Sequence, residues 1–263
     1  MLLAIIALAI TTKAHAGTFS INITSTASID PSVSPLFEQA IDFWESALIG
    51  TQDNIDVILN IDASTPAIDG VGNTLGQATN TTGVIASRFL YAIEGLMRFD
   101  IADIGRFSQS TKLDIILHEM AHVIGFGTLW NTNQFSLSGL QNVYISGTGE
   151  YTGSYALQLY RELFDSNATF VPVELDGGAG TANAHWDEGF INNTGELLTG
   201  FLDANTFVSD ISLASFADIG YVVRLSDGRI LGLVVPAPSF NTLFALVFFL
   251  YVVKRPFKKR RIQ

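Results

Sequence analysis

The sequence predicts an α+β domain. An amphipathic helix precedes segments that alternate at the two-residue period of a strand, and a second amphipathic helix lies mid-chain. A long tract rich in Gly, Asn, Thr and Ser then runs to one last short helix. No internal repeat or low-complexity tract breaks this order.

The first helix is expected over Leu36–Ile49, where Leu36, Phe37, Ala40, Ile41, Trp44, Ala47 and Leu48 fall at helical spacing. Ser34 can cap it, and Pro35 suits its first turn. Residues 54–62 alternate Ile55, Val57, Leu59 and Ile61 with polar neighbours and read as a strand. The stretch 70–83, rich in Gly, Thr and Asn, reads as a loop with a short edge strand, and 97–100 as a further strand. A second clear helix is expected over Thr111–Phe126, with Thr111 and Asp114 in a capping-box-like relation and Gly125 and Gly127 near its end. Long irregular connections follow from Gly127 to about Gly200, interrupted by a helix at Tyr155–Phe164. The last helix is expected over about Ile211–Ile219, capped by Ser209 or Asp210 and closed by Gly220.

Both ends of the chain differ from this domain. Residues 1–12 form an apolar run, and Ala14-His15-Ala16 follows in an A-x-A arrangement, the shape of a secretory signal cleaved before Gly17. A buried N-terminal helix is the alternative. At the other end, Val234–Val253 is mostly apolar, roughly 30 Å as a helix and enough to span a bilayer. Six basic residues follow within 254–261 and would stay cytoplasmic, leaving the preceding domain outside. The expected organisation is a signal at 1–16, a domain at 17–225 with lobes at about 17–127 and 128–225, a linker at 226–234 and a sorting or anchoring segment at 235–263.

With those ends set aside, seven of the 14 basic residues remain in the domain against all 25 acidic ones, a net of −18. Such a surface repels phosphate backbones and argues against nucleic acid as a partner. Asp53, Asp56, Asp62 and Asp69 could bind calcium, but they lack the spaced loop of a calcium motif and read as a solvated surface. The absence of cysteine excludes a thiolate nucleophile and disulfide support.

The chemical signal is His118-Glu119-Met120-Ala121-His122. Residues four apart share a helix face, so both imidazoles can reach one metal ion, with Glu119 placed to take a proton from a metal-activated water. Zinc would bring the pKa of that water towards neutrality and polarise a carbonyl. Chance should produce this pattern well under about once in a hundred such chains. A catalytic zinc needs a third protein ligand and one open position. Of the four histidines, His15 leaves with the signal and only His185 remains, 63 residues beyond His122. A longer motif would place a third histidine at 128, which is Thr128. The rivals to His185 are carboxylates: Glu162, Glu174, Glu188 and Glu196.

These residues and their surroundings resemble the bacterial leishmanolysin-like metallopeptidases. The similarity is carried by Gly95–Asp103, Ile116–Trp130, Val171–Glu174, Asn183–Trp186, Gly195–Gly200 and Ser212–Tyr221, in the family's order and within about Leu36–Val223. The resemblance implies a metzincin-type fold, with a mixed upper sheet and two helices above a cleft, and an irregular lower lobe ending in a helix. It implies His118, His122 and His185 as zinc ligands, Glu119 as catalytic base and Gly125 as the glycine that turns the chain out of the active-site helix. It further implies a zinc-dependent endopeptidase acting on extended polypeptide, which would add a strand near Leu75–Thr82. The methionine expected beneath the metal is Leu198 here, a swap that usually costs under about 1.5 kcal/mol. A cysteine-switch prosegment, found in some members, cannot operate in a chain without cysteine.

The tail has its own resemblance. Val235-Pro236-Ala237-Pro238, an apolar stretch and a basic end look like a PEP-CTERM sorting signal, processed by an exosortase, although Ala237 stands where that motif has Glu. The expected location is therefore the inner membrane facing the periplasm, or the cell surface or matrix after processing. A plain membrane anchor is the alternative. Against the enzymatic reading stands a catalytically silent surface or matrix-binding protein that keeps the fold.

Overall fold

The computed structural model describes residues 16–24, 29–72, 74–137, 139–191, 195–203 and 206–233, and Ala16–Leu233 forms one unit by its internal contacts. The expected signal, apart from Ala16, and the expected sorting or anchoring segment lie outside the described residues. No helix among the described residues is long and apolar enough to cross a membrane.

The chain enters through β1 (Phe19–Ile23) and α1 (Ser34–Ala47). Helix α1 buries Leu36, Phe37, Ala40, Ile41, Trp44 and Ala47, the stripe its periodicity predicts. Ser34 is not its cap. Val33 occupies that position without a side-chain hydrogen bond, and Pro35 in the first turn supplies a fixed helical φ. The helix also stops short of Ile49, because Leu48 and Ile49 open β2 (Leu48–Thr51). Strand β3 (Val57–Ser64) then buries Val57, Leu59, Ile61 and Ala63 in alternation. It begins three residues after Asn54, which adopts φ +57° in the preceding turn.

The region 70–83 departs most from expectation. Strand β4 (Gly76–Ala86) runs for 11 residues and pairs antiparallel along β5 (Phe89–Phe99), whose end is the expected segment 97–100. β4 lies at an edge and is half-exposed or exposed throughout, so its sequence shows no apolar alternation. A short α2 (Ile101–Ile104) leads to α3 (Gln109–Ile124). Thr111 is not the cap of α3. Ser108 is, its hydroxyl accepting from Thr111 N at 3.2 Å.

The upper sheet has the order β1-β3-β5-β4, with the first three strands parallel and β4 antiparallel. Helices α1 and α3 pack together, Trp44 Nε1 donating to Leu117 O at 3.2 Å.

Beyond α3 the chain is largely irregular, as its composition predicts. β6 (Glu150–Tyr151), α4 (Ser154–Leu163) and β7 (Val171–Pro172) lead to α5 (Asp210–Asp218). Ser209 caps α5 by accepting from Ser212 N at 3.2 Å. β8 (Tyr221–Arg224) and β9 (Ile230–Leu231) follow, so the stretch from 226 read as a linker turns back to pair with β8. β8 pairs on its other side with β2, closing the chain onto its first half. Phe126, Trp130, Tyr151 and Trp186 pack ring against ring at the centre of this half.

Candidate metal centre

Helix α3 presents His118 and His122 one turn apart on a common face. Gly125 ends the helix at φ +144°, a backbone angle that L side chains rarely adopt. His185 reaches the same place from a backbone ladder, not from a helix. Glu174 N donates to His185 O at 2.9 Å, and Asn183 N to Glu174 O at 2.7 Å. One residue on, Trp186 is fully buried and its Nε1 donates to Ser212 Oγ at 2.8 Å.

The three imidazoles share one hydrogen-bonding pattern. His118 Nδ1 lies 2.8 Å from Leu197 O, His122 Nδ1 3.0 Å from Phe126 O, and His185 Nδ1 2.9 Å from Thr181 O. A carbonyl can only accept, so each Nδ1 carries the proton and each neutral ring leaves its Nε2 lone pair free. Those Nε2 atoms stand 3.0 Å from one another in all three pairs. Converging lone pairs repel unless a cation sits among them. The centre of such a triangle is about 1.7 Å from each corner, so one zinc ion at its usual 2.0–2.1 Å could be held by all three nitrogens. Burial holds all three imidazoles below the usual histidine range, His185 at about 3, and so favours the neutral form that ligates metal.

The donor set fits zinc, and the rival carboxylates are engaged elsewhere. Glu174 Oε1 accepts from Asp176 N at 2.6 Å, and Glu188 Oε1 from Phe201 N at 3.1 Å. Glu162 lies 3.3 Å from Arg229 on the surface. Glu196 Oε1 accepts from Leu198 N at 3.2 Å, and its Oε2 from Ser209 N at 2.9 Å. Glu196 therefore braces the turn whose Leu197 carbonyl orients His118. Leu198 is fully buried in that turn. Among the described residues, His118, His122 and His185 are the one group of three or more metal-binding side chains gathered within reach of one another.

The histidines open on a cleft of about 580 Å³, walled by Leu75, Gly76 and Ala78 on one side and Ala184, Phe201 and Leu202 on the other. Glu119 is its one charged lining side chain. Burial pushes the Glu119 carboxyl up to about 8. A cation held by the neighbouring imidazoles would draw it back towards the carboxylate.

The family model described as Leishmanolysin, a peptidase family, matches residues 49–232. The chain belongs to the leishmanolysin family. Comparison with curated proteins gives no significant match. Leishmanolysin peptidases are zinc-dependent metallopeptidases, and the three histidines are placed as such an enzyme requires.

Within this leishmanolysin domain, the roles of other residues, one at the site and two that shape the surrounding fold, escaped the sequence reading. Gly76 makes room for Glu119: a Cβ there would stand 2.6 Å from Glu119 Oε1. Asp100 accepts from the backbone N–H groups of Ile68, Asp69 and Gly70, folding the loop that leads into β4. Asp218 accepts from Tyr155 N at 2.8 Å and Ala156 N at 3.0 Å, capping α4 from α5. The Asp in the SFADIGY stretch was visible in the sequence, but nothing local indicated what it caps.

Proposed function

We propose that the protein is a zinc-dependent endopeptidase that cleaves polypeptides outside the cytoplasm, with Glu119 as general base. The carrying observation is the set of three Nε2 lone pairs converging on the cleft that Glu119 lines. Zinc bound there would supply an acidified water and a polarised carbonyl. The chain's own residues do the rest. His118, His122 and His185 would hold the ion, their Nδ1–H groups fixed by backbone carbonyls. Glu119 accepts the proton of the attacking water and returns it to the departing amine. Among the described residues β4 pairs on one side only, with β5, so its other edge offers backbone N–H and C=O groups to an extended peptide. Main-chain pairing of that kind binds polypeptide with little regard to sequence.

The extracytoplasmic site of action rests on the sequence: a signal-like start, and an apolar tail with a basic end. That tail would be retained as an anchor or removed by an exosortase.

The test is cleavage of a fluorogenic unstructured peptide by the full chain, before and after chelation, beside Glu119→Gln. Chelation should abolish turnover and zinc restore it. Glu119→Gln should keep its zinc while turnover falls about 10²- to 10⁴-fold, the usual share of a general base. Full activity in Glu119→Gln would remove it from that role.

A further inference from the structure

Thr128 stands where a longer zinc motif would carry a third histidine, and the structure gives it different work. Its hydroxyl donates to His122 O at 2.7 Å and accepts from Asn80 Nδ2 at 2.8 Å. The polarity runs one way, from amide to hydroxyl to carbonyl, so each bond strengthens the next. The chain thus links the exposed-edge strand β4 to the backbone of a histidine in the triad.

The surrounding sheet is built for this link. Gly76, Ala78 and Asn80 alternate onto the more buried face of β4, towards α3. At one end Gly76 lies against Glu119, and at the other Asn80 holds Thr128. Between β4 and β5 the register breaks just after Asn80: Asn80 faces Gly95, but Thr82 faces Glu94. One extra residue on β4 is followed at once by one extra on β5, which restores the register at Gly83, opposite Ala92. Opposite, Gly95 lets the sheet sit directly on α3, since a Cβ there would come within 2.2 Å of Val123 Cγ1.

We propose that Asn80 and Thr128 are positioning residues that fix the height of β4 over α3, and with it the width of the channel in which a peptide lies between β4 and the histidines. The proposal rests on the peptidase reading above. Neither residue need touch the reacting atoms. Loss of the link would let the strand lift, weakening substrate binding more than the chemical step.

The experiment uses the zinc-loaded full chain and the variants Asn80→Ala, Thr128→Val, Thr128→Ser and Asn80→Ala/Thr128→Val. Amide hydrogen exchange over residues 76–82 is read first, because it needs no turnover. It should quicken in Asn80→Ala and Thr128→Val, with zinc content unchanged, and stay at the wild-type rate in Thr128→Ser. On an unstructured peptide, KM should rise about five- to tenfold in each broken variant, the scale of one lost hydrogen bond, with kcat changed less than twofold. The double variant should match either single one. Unchanged exchange in Asn80→Ala, or single-variant effects that multiply in the double variant, would overturn the proposal. If Thr128→Val fails to fold, Asn80→Ala, at a half-exposed position, decides alone. If the wild type cleaves no peptide, the peptidase reading fails while the exchange result still judges the link.

Discussion

The carboxyl group of Glu119 lies against the α-carbon of Gly76, so closely that a methyl group there would stand 2.6 Å from Oε1 and 2.8 Å from Cδ. The two residues are 43 positions apart in sequence, and their contact sets where the Glu119 carboxyl can stand. Gly76→Ala should therefore displace Glu119 without touching the histidines. Zinc content should hold at the wild-type level while kcat falls on the order of 10²-fold, the cost of roughly 1 Å of misplacement at a reacting group. Wild-type kcat in Gly76→Ala would show that the cleft accommodates the methyl group and that the contact is incidental.

His185 is the one histidine that elimination left for the third ligand, and it lies with His118 and His122. His185→Ala should weaken zinc binding by more than the roughly 100-fold that loss of a supporting hydrogen bond costs. Glu174→Ala and Glu188→Ala should retain one zinc per chain, since both carboxylates are committed to backbone N–H groups. Metal analysis after dialysis against a weak chelator compares them. Full zinc retention by His185→Ala would return attention to the carboxylates.

Leu198→Met should be nearly silent in zinc content and melting temperature. Leu198 is fully buried, and the two side chains are close in volume, so a change under about 1.5 kcal/mol is expected. A large rise in turnover would instead mark Leu198 as a residue that holds the enzyme back.

Asp218 offers a test by pH. Burial raises its carboxyl from 3.8 to about 6, outweighing the N–H and O–H donors that cap α4 through it. A raised folded-state pKa favours the protonated form, so its stabilising contribution is complete below about 4 and declines as pH rises through about 6. Asp218→Asn cannot ionise. The stability difference between variant and wild type should therefore shift in the variant's favour between pH 4 and pH 7, by at most about 3 kcal/mol. Urea unfolding at both pH values measures it, and a difference that is flat with pH would show that the donors hold the carboxylate ionised throughout.

Legibility in the sequence followed distance along the chain. Helix α3 was readable because its apolar periodicity and its two histidines lie within one 16-residue element. The third histidine was readable through scarcity, since one candidate remained. β4 was readable only as a short edge strand within a loop, because Gln77, Thr79, Asn80 and Thr82 match a loop in composition and hide its 11-residue length. The end of α1 was misplaced because Leu48 continues a helical stripe while serving a strand. Gly76, Asn80 and Asp218 act on partners dozens of residues away, and no local pattern announces such a contact.

β2 and β8 pair residues about 170 positions apart, Thr51 with Tyr221. A loop of that length closes late, because its ordering entropy must be met before the paired strands return anything. Chains emerge from the ribosome N-terminus first, so β2 waits with an open edge until almost the whole domain has been made. His185, the Leu197 carbonyl and the strand that seals the fold all lie in the late half. A nascent chain that has not reached His185 carries the HEMAH helix with only two of the three gathered histidines. A chain cut before Tyr221 would keep every residue that lines the cleft yet lack the strand that pairs with β2.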